Sequence, residues 1–150
     1  MDVPKLIYLD VCVLCRPFDD QKYLRIRMEI DAVNLILANI RKNKYKLAIS
    51  PVHIFEINAI PEIYERIHIR TILDELGELI KIDITDTRQR AEELVQKGFG
   101  VADAAHIAFA EKSNITFITC DDLLLKKCLR NKIGIWCTNP IAFCEKEGLR

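Results

Sequence analysis

The sequence predicts a single α/β domain spanning residues 1–150, a three-layer sandwich around a mostly parallel central sheet. Three observations carry this expectation. Five short runs of near-continuous apolarity have the form required of strands buried on both faces of a parallel sheet. Helical patterns separate these runs in turn, as a doubly covered sheet requires. The composition is globular, 50% hydrophobic and 29% charged, with five Gly and five Pro and no linker, repeat or low-complexity stretch.

"KLIYLD" at 5–10 is the first strand pattern, followed by "YKLAIS" at 45–50, "ELIKIDI" at 78–84, "ITFITC" at 115–120 and "IGIWCT" at 133–138. Between the first two, residues 21–42 place Ile26, Ile30, Val33, Leu37 and Ile40 at spacings of four and three, which makes one apolar stripe of a long helix. Asp19-Asp20 reads as the turn and cap before it. Met28, Leu35 and Ile36 fall off the stripe, so a second face is expected to meet a partner chain. Ser50-Pro51 supplies an N-cap and a first-turn proline for a short helix through Asn58. Pro61 is expected to open another helix, closing near Gly77, with Ile63, Ile67 and Leu76 as core candidates. Asp86 is expected to cap residues 87–98, and 101–114 form an alanine-rich helix. Asp121 or Asp122 caps the next helix, and Asn139-Pro140 begins the last.

Lys plus Arg equals Asp plus Glu at 22 each, so any nucleic-acid partner must be met by local patches rather than by a global field. Residues 1–4 lack the basic start of a signal peptide, and no apolar stretch approaches the roughly 20 residues needed to span a membrane. A cytoplasmic location with six free thiols is expected, and no membrane. Cys12-x-x-Cys15 suggests a dithiol or half a zinc site, but Cys120, Cys128, Cys137 and Cys144 stand eight, nine and seven apart and supply no matching pair. A redox pair typically opens a helix, which the strand-end context does not suggest.

Ligand sites of open parallel sheets gather outside the carboxyl ends of the strands. Asp10 ends the first strand pattern and Asp121 follows the fourth. Glu56 in "SPVHIFEINAI" and Asp103 in "GFGVADAAHIAFA" stand among apolar neighbours, where a carboxylate is costly unless something neutralises or hydrogen-bonds it. Converging carboxylates raise one another's pKa unless a hard divalent cation such as Mg²⁺ or Mn²⁺ takes their oxygens. Capping accounts for Asp121, and the helix dipole for Asp103, if each is taken alone. His106, three residues after Asp103, shares its helix face and is a candidate ligand or supporting group; His53 stands likewise before Glu56, and His68 reads as a surface residue. Arg16, Lys126 and Lys127 are candidate phosphate contacts, and "RKNKYK" at 41–46 is a second basic concentration.

The stretches "YLDVCVL", "ISPVHIFEI", "VADAAHIAFA" and "FITCDDLLL" together resemble the PIN domain family, which includes VapC-like toxin ribonucleases of toxin–antitoxin pairs. The resemblance covers nearly the whole chain. It implies that Asp10, Glu56, Asp103 and Asp121 form the metal-binding, catalytic acids of a ribonuclease using Mg²⁺ or Mn²⁺, with Thr119 and Asp122 in support. It implies hydrolysis of RNA by in-line attack of an activated water, leaving a 5′-phosphate and a 3′-hydroxyl. An antitoxin partner and a homodimer are further family expectations. One departure stands out: Val11 and Cys12 occupy positions where relatives commonly carry Ser or Thr and then Asn, so a hydroxyl that orders the site is missing. That departure motivates the alternative, a PIN-like nucleic-acid-binding or scaffold module with a weak or inactive site. Cys12 and Cys120 each adjoin a proposed metal acid, so thiol oxidation is expected to inhibit. Two other α/β classes fit poorly: phosphatases needing Asp-x-Asp fail at Cys12, and receiver domains need an acid pair where Asp10 stands alone.

Overall fold

The strand at Lys5–Leu9 (β1) buries Ile7 and Leu9 on one face and Tyr8 on the other in the computed structural model of the chain, which describes residues 3–150. Four further strands, Tyr45–Ile49 (β2), Gly77–Leu79 (β3), Thr116–Ile118 (β4) and Cys137–Thr138 (β5), complete one sheet in the order β3-β2-β1-β4-β5, parallel at every pairing. The helices between them are Val11–Cys15 (α1), Leu24–Arg41 (α2), Pro51–Asn58 (α3), Ile63–Leu76 (α4), Ile84–Gln96 (α5), Val101–Lys112 (α6), Asp122–Arg130 (α7) and Pro140–Glu147 (α8).

Period-two alternation divides the core between the two faces of the sheet. Ile7, Leu9, Leu47 and Ile118 pack with residues of α1, α2, α4 and α8, including Ile36, Ile69 and Phe143. Tyr8, Ala48 and Phe117 pack with α5, α6 and α7 through Leu94, Ile107 and Leu124. Each fully buried Ile, Leu or Phe contributes about 1.5–3 kcal/mol, so both layers are needed to hold the sheet.

Several boundaries differ from expectation for local reasons. The turn at Asp20 forms, its carboxylate accepting from the Lys22 N–H, but the helix begins only at Leu24 with Tyr23 as its extended cap. Burial on α2 runs through Ala32, Val33, Ile36, Leu37 and Ile40, so Ile36 belongs to the core rather than to a second face. Met28 does remain exposed. Glu62 rather than Pro61 caps α4, and Asp83 rather than Asp86 caps α5, each carboxylate accepting two backbone N–H groups. β3 ends at Leu79, short of the expected residue 84, and α5 begins at Ile84. Gly77 closes α4 as expected, but at φ −77°, outside the left-handed region. It is required for room, because a Cβ there would stand 2.5 Å from the Leu73 carbonyl oxygen and 2.9 Å from Ile49 Cγ2. Helix α1 was not legible in the sequence, and it places Cys12 in a first turn after all.

Candidate active site

Strands β1 and β4 are neighbours, while β2 lies on the other side of β1, so the chain's crossovers part between them. Such a switch point opens a crevice at the carboxyl ends of the two strands. Asp10 and Asp121 flank that crevice, and the Asp10 N–H is tied to the Ile118 carbonyl at 2.9 Å.

The Asp10 carboxylate is oriented by two donors on one oxygen. Thr119 Oγ1 donates to Oδ2 at 2.8 Å, and the Cys12 thiol donates to the same atom at 3.3 Å. The thiol therefore supplies part of what the missing hydroxyl would have done, while Val11 packs into the core. Thr119 Oγ1 also accepts the Asp121 N–H at 3.1 Å, which links the two strand ends.

With Oδ2 so held, Asp10 Oδ1 lies 3.7 Å from His106 Nε2, and the same nitrogen is hydrogen-bonded to Glu56 Oε1. One ligand atom from each of Asp10, Glu56 and His106 lies within 4.8 Å of the other two. Asp103, one turn before His106 on α6, is half-buried. Burial first, then the negative charges of Asp10 and Asp121, hold its carboxyl above the ordinary carboxylate range, against a lowering by His106. All four predicted acids thus act on one region, but the tight group is Asp10, Glu56 and His106. Asp121 is exposed and caps α7, its Oδ1 accepting from the Leu123 and Leu124 N–H groups. Asp122 forms a two-point ion pair with Arg25, which holds its carboxyl below the usual range and ties the start of α2 to the start of α7.

Tyr8 and Ser50 take part in the site, although the sequence singled out Ser50 only as a helix cap and Tyr8 not at all. Tyr8 Oη lies 2.5 Å from His106 Nδ1 and 2.8 Å from Ser50 Oγ, and all three residues are buried. The available signals were a tyrosine interrupting the apolar run of β1 and a Ser-x-x-His with the spacing of a capping box. His53 is held by backbone at both ring nitrogens: Nδ1 accepts from the Ser50 N–H at 3.0 Å, and Nε2 donates to the Leu9 carbonyl at 2.7 Å. This satisfies the neutral ring completely. Burial and then the neighbouring His106 lower its pKa to about 3.

A pH dependence follows from His53. Between the unperturbed value near 6.5 and about 3, the unfolded chain binds a proton that the native ring refuses, so stability is present above this window and lost as pH falls through it. The slope from this one group approaches about 1.4 kcal/mol per pH unit. Urea midpoints measured from pH 7 to pH 4.5 are expected to fall for wild type and to fall less steeply for His53→Leu; parallel curves would refute the assignment.

The basic residues are placed otherwise than expected. The Arg16 guanidinium is committed within the protein, to Glu29 Oε1 at 2.9 and 3.2 Å and to Asp19 Oδ2 at 3.0 Å. Lys127 Nζ donates to the Gly98 carbonyl at 3.0 Å, whereas Lys126 is exposed. "RKNKYK" leads into the start of β2, at the amino ends of the strands, whereas the site lies at their carboxyl ends. His68 is exposed, as expected, and its ring contacts Phe18. The six cysteines are free thiols. Burial and Glu65 push Cys15 up to about 12, and the Cys12 contact and burial push Cys120 upward, so neither has the thiolate character of a reactive cysteine. Oxidation through Cys120 is thereby disfavoured.

The family model of the PIN domain matches residues 7–128. This chain belongs to the PIN domain family. PIN domains are generally nucleases. The fold is shared with the solved complex FitAcB from Neisseria gonorrhoeae, at 17% identity and a TM-score of 0.53, over 89% of this chain and 97% of that one. VapBC2 from Rickettsia felis, solved bound to a DNA fragment from its promoter, matches at 17% identity and a TM-score of 0.55, over 89% of this PIN domain and 98% of that chain. FitAB bound to an IR36 DNA fragment matches at 18% identity and a TM-score of 0.57, over 90% and 95%. No curated protein sequence matches. No helix among the described residues is long and apolar enough to cross a membrane.

Proposed function

We propose that this PIN domain is a divalent-metal-dependent endoribonuclease that hydrolyses RNA phosphodiester bonds, with Asp10, Glu56, Asp103 and Asp121 as its acids. The observation that carries this reading is the convergence of buried Asp10 with Glu56, with Asp103 near enough that, after its own burial, the charge of Asp10 helps to hold its carboxyl above the ordinary range. Such a donor set suits Mg²⁺ or Mn²⁺, because a cation relieves the mutual repulsion of the carboxylates. Bound there, the ion supplies polarisation of a phosphoryl oxygen and a water of lowered pKa. Asp10 and Glu56 would hold it, and Thr119 and Cys12 keep Asp10 turned toward Glu56. Asp103 and Asp121 line the same crevice, where they can orient an attacking water or a second ion. Because Arg16 is engaged by Glu29 and Asp19, Lys126 on α7 is the better-placed phosphate contact, with Lys127 beside it.

The similarity in fold to complexes named VapBC2 and FitAB supports a role as the toxin of a toxin–antitoxin pair, partnered by an antitoxin. A homodimer is supported by exposed Leu24 and Met28 on α2.

The test is cleavage of a mixed RNA set with Mn²⁺ or Mg²⁺ by wild type and Asp103→Asn, with and without EDTA. Cleavage by wild type alone, abolished by EDTA, is the expected result. Equal cleavage by both proteins would mark a contaminant, and cleavage by neither, together with no heat on metal titration, would overturn the reading.

A further inference from the structure

We propose that His106 Nε2 is a third ligand of the cation, making this a mixed nitrogen and oxygen site rather than an all-carboxylate one; the inference rests on the reading that the cluster holds a divalent metal. His106 is fully buried, and its Nε2 is aimed between Glu56 Oε1 and Asp10 Oδ1. Ligand atoms bound at about 2.1 Å to one ion stand roughly 3 to 4.3 Å apart, so three atoms within 4.8 Å can be drawn onto a single cation with small side-chain shifts.

A ligating imidazole needs its other nitrogen protonated and hydrogen-bonded, and the chain of groups behind His106 provides for that. The Tyr8 hydroxyl, between His106 Nδ1 and Ser50 Oγ, has one hydrogen to give and lone pairs to accept with. In one arrangement Ser50 donates to Tyr8, Tyr8 donates to His106 Nδ1, and Nε2–H donates to Glu56. In the reverse arrangement His106 Nδ1–H donates to Tyr8, Tyr8 donates to Ser50, and the Ser50 hydroxyl turns toward His53 Nδ1 at 3.4 Å, where it shares with the Ser50 N–H the one lone pair of that nitrogen. Both arrangements use the same number of hydrogens. The second leaves Nε2 with a bare lone pair, and His53, pinned by the Ser50 N–H and the Leu9 carbonyl, offers Nδ1 only as an acceptor at the far end. An imidazole among the ligands favours Mn²⁺ and later transition ions over Mg²⁺.

The test is pulsed EPR on the wild-type protein loaded with Mn²⁺, with calorimetric titration of Mn²⁺ and Mg²⁺ into wild type, His106→Leu and Tyr8→Phe. Nitrogen coupling to Mn²⁺ is expected in wild type and absent in His106→Leu. His106→Leu is expected to narrow the preference for Mn²⁺ over Mg²⁺ by roughly tenfold or more, and Tyr8→Phe to weaken Mn²⁺ binding roughly 10- to 100-fold. Mn²⁺ bound to wild type without nitrogen coupling would overturn this inference and leave the metal-nuclease reading standing. No binding of either ion to wild type would overturn both.

Discussion

Asp10→Asn is expected to abolish metal-dependent RNA cleavage, by about 10³-fold or more, while making the metal-free protein melt higher. The loss follows because Lewis-acid polarisation is worth several kcal/mol, and about 4 kcal/mol corresponds to roughly 10³ in rate. The gain in stability follows from the site's own electrostatics: Asp10 is buried and faces Glu56, and its charge helps to raise the Asp103 carboxyl. Removing one charge relieves about 1 kcal/mol, or roughly 2–4 °C in a chain of this size. The amide oxygen can still accept from Thr119 and Cys12, so the fold around β1 and β4 is preserved. A saturating cation should stabilise the wild type by about 2.7 kcal/mol at one hundred times its dissociation constant, raising its melting temperature, and leave the variant unmoved. Thermal melts with and without Mn²⁺, beside the cleavage assay, test both signs. A variant that melts lower without metal and still gains from Mn²⁺ would show that Asp10 is a structural acid.

Arg16→Ala is expected to destabilise the protein by about 3–5 kcal/mol, a fall of roughly 10 °C, because it strands a buried charge. Glu29 on α2 is fully buried, and its Oε2 has no hydrogen-bond partner among the described residues. Its Oε1 is held by Arg16, with Arg25 farther off at 3.7 Å, which places the cost toward the lower end of that range. Replacing both partners, as Arg16→Met with Glu29→Leu, removes the desolvation penalty together with the pair and should recover most of the loss. Chemical denaturation of the single and double variants decides the matter. An Arg16→Ala protein of unchanged stability but weakened RNA binding would return Arg16 to the phosphate-contacting role that its position in the sequence suggested.

Much of this arrangement is legible in the linear pattern, and the exceptions share a cause. Near-continuous apolar runs announced β1, β2 and β4, because strands covered on both faces admit little else. β3 and β5 are short edge strands, where pairing depends on a single neighbour, and the apolar runs overstated them. Ile36 was expected on a second face meeting a partner chain because it falls off the stripe, but it is buried in the chain's own core together with residues of the sheet and α8. His106 and Arg16 were both singled out, but their partners Tyr8, Glu56 and Glu29 lie 98, 50 and 13 positions away, and no local pattern specifies such pairs.

What the sequence determined by itself is therefore the α/β class, the parallel sheet and the order of acids along it, since these follow from periodicity and from the cost of placing carboxylates among apolar neighbours. Only the tertiary structure decided which groups meet. Pairing of β1 with β4 and the packing of the helices around their ends brought Asp10 to Glu56 and His106, let a thiol serve where a hydroxyl was missing, and committed Arg16 to a buried carboxylate. The physical reason is that hydrogen bonds and ion pairs are set by distance in space, which the chain acquires only when its two core layers pack against the sheet.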